Sequence, residues 1–96
     1  MFARVATFEG EPDQVRQMAS AIGEDSQSGP PEGVPGKELI VLTGRDSGKL
    51  VAIGFFETED DLRQGDETLN QMSPPPEMAV RRTGVEMFEV AVRVSA

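Results

Sequence analysis

Two short apolar runs constrain the fold more than any other feature of this 96-residue sequence. Residues 39–43 and 50–56 are apolar at nearly every position, and the segment 44–49 between them contains Gly, Asp and Ser. Apolar runs around such a segment are typical of a β-hairpin. Because neither run alternates with polar residues, we expect both faces of the sheet to be covered.

An amphipathic helix is predicted before this hairpin. Pro12 suits the first turn of a helix, since a backbone N–H has no partner within the helix at that position. The apolar residues that follow at helical spacing are Val15, Met18, Ala19 and Ile22. Gly23 is the predicted end of the helix, and the Gly- and Pro-rich segment 23–36 is a predicted loop that is either mobile or functional.

A second helix is predicted after the hairpin. Thr58 offers a hydroxyl for the N-cap, with Asp61 three residues further on. The expected apolar face of this helix carries Leu62, Leu69 and Met72. Gly65 costs a helix about 1 kcal/mol relative to Ala, so we expect close packing against the sheet at this residue. The proline-rich segment 73–76 is predicted to end the helix.

Two further strands complete the predicted fold. Residues 2–8 are rich in Phe, Val and Thr, and residues 79–94 predict a long last strand with a bulge at Gly84. The resulting order, β-α-β-β-α-β, predicts one α+β domain of ferredoxin-like type over residues 1–96. It would contain a four-stranded antiparallel sheet with two helices on one face.

The second face of this sheet needs a cover, because two helices protect only one face. We expect that cover to be the same face of another copy, in a two-fold homodimer. The alternative is a monomer whose long loop folds over the sheet. No nucleic-acid or membrane partner is expected.

Composition excludes several kinds of chemistry. The chain contains no Cys, His, Trp or Tyr, which leaves no thiolate or imidazole for catalysis or for a zinc site. Its 17 acidic and 9 basic residues give a net charge of −8, which disfavours binding to phosphate backbones and anionic membranes. With neither a signal peptide nor an apolar stretch of about 20 residues evident, the predicted location is cytoplasmic. No cofactor is predicted.

The element order, the two apolar faces and the segment 55–62 (FFETEDDL) resemble the dimeric α/β-barrel superfamily. Within it, the chain is similar to small actinobacterial proteins of the antibiotic biosynthesis monooxygenase type, and the segments 31–36 and 69–75 add to this resemblance. The resemblance implies a dimeric α/β barrel. Monooxygenases of this type use an Asn with a Trp and often an Arg, and haem-degrading relatives use Asn, Trp and His. The present chain lacks Trp and His, so neither constellation is complete.

Three arginines are candidate ligand-binding residues. Arg4 stands among apolar residues of the first strand, and Arg81 and Arg82 belong to the last strand, which neighbours the first in this topology. A guanidinium that faces the space between sheet and helices can orient a carboxylate or phenolate by forked hydrogen bonds. The alternative is a structural role, either as a cross-strand pair with Glu86 or Glu89 or as an ion pair at a dimer interface.

The other two candidate ligand-binding residues are Phe56 and Asn70. Phe56 would line an apolar pocket, although aromatic residues in such strands are more often core. Asn70, the only Asn, is expected near a helix end, where a structural role is more common. The acidic segment 57–61 is a possible site for a hard cation, but acidic residues ordinarily favour a helix N-terminus electrostatically.

Three functional hypotheses follow. The first is a homodimeric protein that binds a small apolar or aromatic molecule between the sheet and the helices. The second is a cofactor-independent monooxygenase acting on an aromatic or polyketide-like substrate, with the protein stabilising negative charge through Arg or Asn. The third is a purely structural dimerisation module. No catalytic residue is assigned, and no metal ligand is predicted.

Overall fold

The structure is a computed structural model that describes residues 1–25, 27, 29, 33–44, 46–72 and 79–95. Its elements are, in chain order, β1 (Phe2–Gly10), α1 (Pro12–Asp25), β2 (Glu38–Thr43), β3 (Lys49–Phe56), α2 (Glu59–Asn70) and β4 (Val80–Glu89). The strands form one antiparallel sheet in the order β2-β3-β1-β4. This is the α+β ferredoxin-like arrangement that the sequence predicts. No helix in the described part of the chain is long and apolar enough to cross a bilayer.

The two helix ends differ slightly from the predictions. Helix α1 continues two residues beyond Gly23, which meets no neighbouring atom within 4 Å of a Cβ built on it. Helix α2 ends at Asn70, so Met72 lies outside it and is 54% exposed. At the start of α2, the predicted N-cap is confirmed, since the Thr58 hydroxyl accepts a hydrogen bond from the Asp61 N–H at 3.1 Å. The predicted helix end at 73–76 lies outside the described residues.

Strand β4 is shorter than predicted. It ends at Glu89 rather than near Val94, and its bulge falls at Thr83, because Thr7 pairs with Gly84 whereas the next residue of β1 pairs with Arg82. The physical reason for the early end lies in the neighbouring strand. The register of β4 with β1 ends at the pair of Glu89 and Phe2, and the Val90 N–H donates to the Met1 carbonyl at 2.9 Å as the last contact between them.

The core consists of two clusters on the face of the sheet that carries the helices, which we call the helix side. The first cluster joins α1 to the sheet and is built from Val15, Leu50 and Val80, with Phe8, Met18, Ala19, Val41 and Ala52 packed against it. The second joins α2 to the sheet and is built from Val34, Phe56 and Leu62, with Phe2 and Leu69 beside it. The apolar helix faces predicted from Val15 and Leu62 are therefore confirmed.

The opposite face, which we call the open face, carries apolar side chains on all four strands. Residues that pair directly across strands project to the same face, so the pairing register defines its members. Its apolar members are Ala3, Val5, Ile40, Leu42, Val51, Ile53, Phe55 and Phe88, and the polar side chains of Thr7, Glu38 and Glu86 project to the same face. Leu42 is 50% exposed and Phe88 is 49% exposed, so the described chain leaves this face largely uncovered.

The described end of the long loop does not cover the open face. Val34 is buried with Phe56 and Leu62 on the helix side. The Gly33 carbonyl accepts a hydrogen bond from the Thr68 hydroxyl at 3.0 Å, which ties this end of the loop to α2. Residues 26, 28 and 30–32 lie outside the described residues. The part of the loop that the structure describes therefore belongs to the helix side.

Candidate functional site

Four polar side chains meet on the helix side, and we call them the polar cluster: Arg4, Asp66, Asn70 and Arg82. Arg4 donates from Nε to Asp66 Oδ1 at 2.8 Å and from Nη2 to Asn70 Oδ1 at 3.0 Å. Asn70 Oδ1 also accepts from Arg82 Nη1 at 2.8 Å, and Asn70 Nδ2 donates to Asp66 Oδ2 at 3.2 Å. The Asn70 amide thus connects both guanidinium groups to the carboxylate.

Helix α2 supplies two members of the polar cluster because of its periodicity. Asp66 and Asn70 are four residues apart, which places them one above the other on the same helix face. That face meets β1 at Arg4, which occupies the helix side of the strand between Phe2 and Phe8 of the two core clusters. Arg4 thus occupies a position where the alternation of side chains along β1 would otherwise place an apolar core residue.

The bulge at Thr83 decides which of two adjacent arginines joins the cluster. With the extra residue, Arg82 stands opposite Phe8 on the helix side and Arg81 stands opposite Glu9 on the open face. A continuous register would exchange the two, because a shift of one residue moves each side chain to the other face. The guanidinium of Arg81 accordingly lies 3.9 Å from the Glu9 carboxylate, away from the cluster.

Burial separates the members of the cluster into an inner pair and an outer pair. The side chain of Arg4 is 7% exposed and that of Asp66 is 20% exposed. A buried charge is tolerated only with a partner and with its hydrogen bonds made. Among the described residues no buried side-chain nitrogen or oxygen lacks a hydrogen-bond partner. Arg4 and Asp66 therefore form a satisfied structural pair.

Arg82 and Asn70 form the outer pair and are both exposed. Within the described part of the chain, Asn70 is the hydrogen-bond partner of the Arg82 guanidinium, through Nη1 alone. Two arginines and one aspartate give the cluster a formal charge of +1, in a chain whose net charge is −8. The outer pair is thus a local cationic position with donors directed to solvent.

Two apolar residues follow Arg82 along the helix side of β4. Val85 pairs with Ala6 and Met87 pairs with Arg4, so both project to the same side as Arg82. Met87 is 51% exposed, and Val85 is partly buried. We call Val85, Met87, Arg82 and Asn70 the shelf. It combines apolar surface with one cation, which suits a small molecule that has an apolar body and an anionic group.

The structure brings three of the five predicted site residues together and separates two. Arg4, Asn70 and Arg82 belong to the polar cluster. Phe56 is 1% exposed and packs in the core, and Arg81 lies on the opposite face. Among the described residues, neither Glu86 nor Glu89 is the acidic partner of Arg4, Arg81 or Arg82. The acceptors are Asp66, Asn70 and Glu9.

Sequence reasoning missed Asp66. Two features of the sequence indicate it. Asp66 is four residues from Asn70, which places both on one helix face, and Arg4 requires an anionic partner if it is buried.

Two shallow concavities lie elsewhere on the surface. One, of about 540 Å³, lies along α1 and includes Asp13 and Ala21. The other, of about 480 Å³, lies between Gly10 and Arg81. Neither concavity includes Asn70, Arg82, Val85 or Met87, so both lie apart from the shelf.

The acidic segment 57–61 is engaged in local contacts. Glu57 lies 3.2 Å from the Lys37 ammonium, and Glu59 lies 2.6 Å from the Arg63 guanidinium. In the described ranges, no group of three or more acidic side chains is placed to hold a metal ion. Glu59, Asp60 and Asp61 occupy the first turn of α2, where the helix dipole favours them.

Comparison with known proteins adds no family assignment. No protein-family model matches the chain, and no curated protein matches it. The resemblance to the dimeric α/β-barrel superfamily stays a prediction. The open face and the polar cluster are therefore the features of the molecule that bear on its function.

Proposed function

We propose that this protein is a homodimer, paired through the open face, that binds a small aromatic anion on the shelf of each copy. The observation that carries the ligand part is the exposed Arg82 guanidinium, held by Asn70 on the side of β4 that also presents Val85 and Met87. Neither the monooxygenase alternative nor the dimerisation-module alternative is favoured by a specific contact, and both stay predictions.

The dimer is supported by the composition and exposure of the open face. Leu42 and Phe88 stand near opposite edges of this face and are each about half exposed, and the strands between them contribute further apolar side chains. Soluble monomers rarely expose a contiguous apolar patch of this kind. A second copy offers a patch of the same size and chemistry, as isologous association requires.

Two adjacent residues of β4 provide the test of the dimer. Phe88 projects to the open face and Met87 to the helix side, and their exposures are 49% and 51%. Light scattering should give a mass near twice 10.4 kDa for the wild type and for Met87→Glu. Phe88→Glu should be monomeric at micromolar concentration, because it places a charge in the interface. A monomeric wild type would refute the dimer.

The ligand class follows from the chemistry of the shelf. A guanidinium binds a carboxylate or phenolate by short, charge-assisted hydrogen bonds, and Asn70 holds the Arg82 guanidinium in place. The side chains of Met87 and Val85 offer the apolar surface that an aromatic ring would cover. Because Arg4 is already matched by Asp66, the charge of Arg82 is the one available to a ligand.

The test of the ligand uses 2-naphthoate as a probe, with 2-naphthalenemethanol as its neutral counterpart. Titration followed by NMR should show saturable shifts at Val85 and Met87 for the naphthoate. Arg82→Gln should weaken its binding at least about tenfold, since a hydrogen bond to a charged group contributes about 1.5–3 kcal/mol. Arg81→Gln is the matched control and should leave binding unchanged.

Three results would contradict the ligand proposal. They are equal affinity for naphthoate and the alcohol, equal loss on Arg81→Gln and Arg82→Gln, and shifts that do not saturate. Each would show that the shelf does not select an anion through Arg82. None of them bears on the dimer, which is measured separately.

A further inference from the structure

The two guanidinium groups of the polar cluster differ in which of their nitrogens are engaged. A guanidinium presents two N–H groups side by side along the edge formed by Nε and Nη2, and this pair matches the two oxygens of a carboxylate. We call it the side edge. In Arg4 the protein itself fills the side edge, because Nε donates to Asp66 Oδ1 at 2.8 Å and Nη2 donates to Asn70 Oδ1 at 3.0 Å. Arg4 therefore has no paired donors left for a ligand along this edge.

The side edge of Arg82 is open in the described part of the chain. Arg82 donates from Nη1 to Asn70 Oδ1 at 2.8 Å, and none of the described residues accepts a hydrogen bond from its Nε or Nη2. The Arg82 side chain is exposed, so both N–H groups are accessible from solvent. The cluster thus contains one guanidinium with a filled side edge and one with an open side edge.

Asn70 holds Arg82 by the one guanidinium nitrogen that lies outside the side edge. The Asn70 amide is itself fixed at both ends, since Nδ2 donates to Asp66 Oδ2 at 3.2 Å and Oδ1 also accepts from Arg4. A guanidinium that is already held at Nη1 loses less conformational freedom when its other two nitrogens bind a ligand. The polar cluster therefore preorganises the open side edge of Arg82.

We infer that the anionic group of the ligand is a carboxylate, bound side-on by Nε and Nη2 of Arg82. This inference rests on the proposed function and narrows the ligand from aromatic anions to aromatic carboxylates. A carboxylate satisfies the two donors with its two oxygens, whereas a phenolate has a single oxygen to share between them. A doubly charged phosphate ester is disfavoured, because the chain carries a net charge of −8 around a cluster with one excess positive charge.

Two matched probes, 4-nitrobenzoate and 4-nitrophenolate, test this inference at a pH at which both are ionised. Each carries one negative charge on a nitro-substituted ring, but on two oxygens in the first and on one in the second. Arg82→Lys keeps the positive charge and loses the paired donors. In calorimetric titrations it should weaken 4-nitrobenzoate binding at least about fivefold, through the loss of one charge-assisted hydrogen bond. It should change 4-nitrophenolate binding less than about twofold.

The NMR resonance of the Arg82 Nε–H shows which edge of the guanidinium the ligand uses. It is identified by its absence from the spectrum of Arg82→Lys. At slightly acidic pH, saturating 4-nitrobenzoate should move this resonance downfield, because Nε becomes a donor to a carboxylate. The Nε–H of Arg4 already donates to Asp66 and should stay in place, which makes it the internal control. An unmoved Arg82 resonance at saturation would overturn side-on binding.

The outcomes separate this inference from the proposed function. Equal losses of the two probes on Arg82→Lys would overturn the carboxylate selection and leave an anion-binding shelf. The same conclusion would follow if Arg82→Lys bound 4-nitrobenzoate as tightly as the wild type while Arg82→Gln did not. A wild type that binds neither probe saturably would overturn both proposals. Arg81→Lys is the matched control and should bind both probes as the wild type does, because Arg81 lies on the open face.

Discussion

Gly65 of α2 lies directly against the ring of Phe56. A β-carbon at position 65 would lie 2.5 Å from Phe56 Cε1 and 2.7 Å from Cζ, closer than real contacts allow. Phe56 is 1% exposed and has core neighbours on its other sides, so the ring has little room to move. The glycine therefore allows the helix to approach the sheet, as the sequence predicts.

We expect Gly65→Ala to destabilise the protein despite the better helix propensity of alanine. Propensity favours alanine by about 1 kcal/mol, whereas overpacking a filled core costs about 1–3 kcal/mol. The net loss should be about 1 kcal/mol in urea unfolding. The matched control is Gly23→Ala, since nothing lies within 4 Å of that position. It should be neutral or stabilising, and a stabilised Gly65→Ala would contradict the packing argument.

The Arg4–Asp66 ion pair should contribute far more to stability than an exposed ion pair with a similar distance between its charged groups. Arg4 and Arg63 each contact a carboxylate, at 2.8 and 2.6 Å, but their side chains are 7% and 68% exposed. Arg4→Met removes the cationic partner of Asp66, which is 20% exposed and keeps its hydrogen bond from Asn70, so the loss should be about 2 kcal/mol, below the about 3–5 kcal/mol of a fully buried pair. Arg63→Met should cost less than about 0.5 kcal/mol. Chemical denaturation of both variants makes the comparison, and equal losses would contradict it.

Thr58 should stabilise α2 through its hydroxyl. Thr58→Ala removes the acceptor of the Asp61 N–H and should cost about 1 kcal/mol, measured as a lower free energy of unfolding. Thr58→Ser keeps the hydroxyl and is the control. If serine were as damaging as alanine, the loss would come from the methyl group rather than from the cap.

Val34 should anchor the end of the long loop to the second core cluster. It is 8% exposed and contacts Phe56 and Leu62, so Val34→Ala should cost about 2 kcal/mol through lost burial and a small cavity. Met72→Ala is the control, because Met72 is 54% exposed. Thermal unfolding should separate the two variants, and equal melting temperatures would show that this loop end is not part of the core.

The helices and strands were predictable because local patterns determine them. The apolar spacing from Val15 and the hydroxyl at Thr58 mark the helices without reference to the rest of the chain. The end of β4 is different, because it depends on where the neighbouring strand stops. Residues 90–94 have strand composition, but β1 begins too late to pair with them.

The candidate site was predictable only in part, for two physical reasons. The side of the sheet that Arg81 and Arg82 face depends on the bulge in β4, because a register without that extra residue exchanges them. Asp66 belongs to a helix with many acidic residues, where most carboxylates face solvent. Arg4 was recognisable because a charge within an apolar strand requires a partner.

The separation of the core into two clusters affects how the protein unfolds locally. Helix α1 is anchored through Val15 and helix α2 through Leu62, and the Arg4–Asp66 pair lies between the two apolar regions. Local unfolding of one helix therefore leaves the apolar contacts of the other in place. Amide hydrogens of the two helices should exchange with solvent at independent rates, and the sheet beneath them should form the slowly exchanging unit that both share.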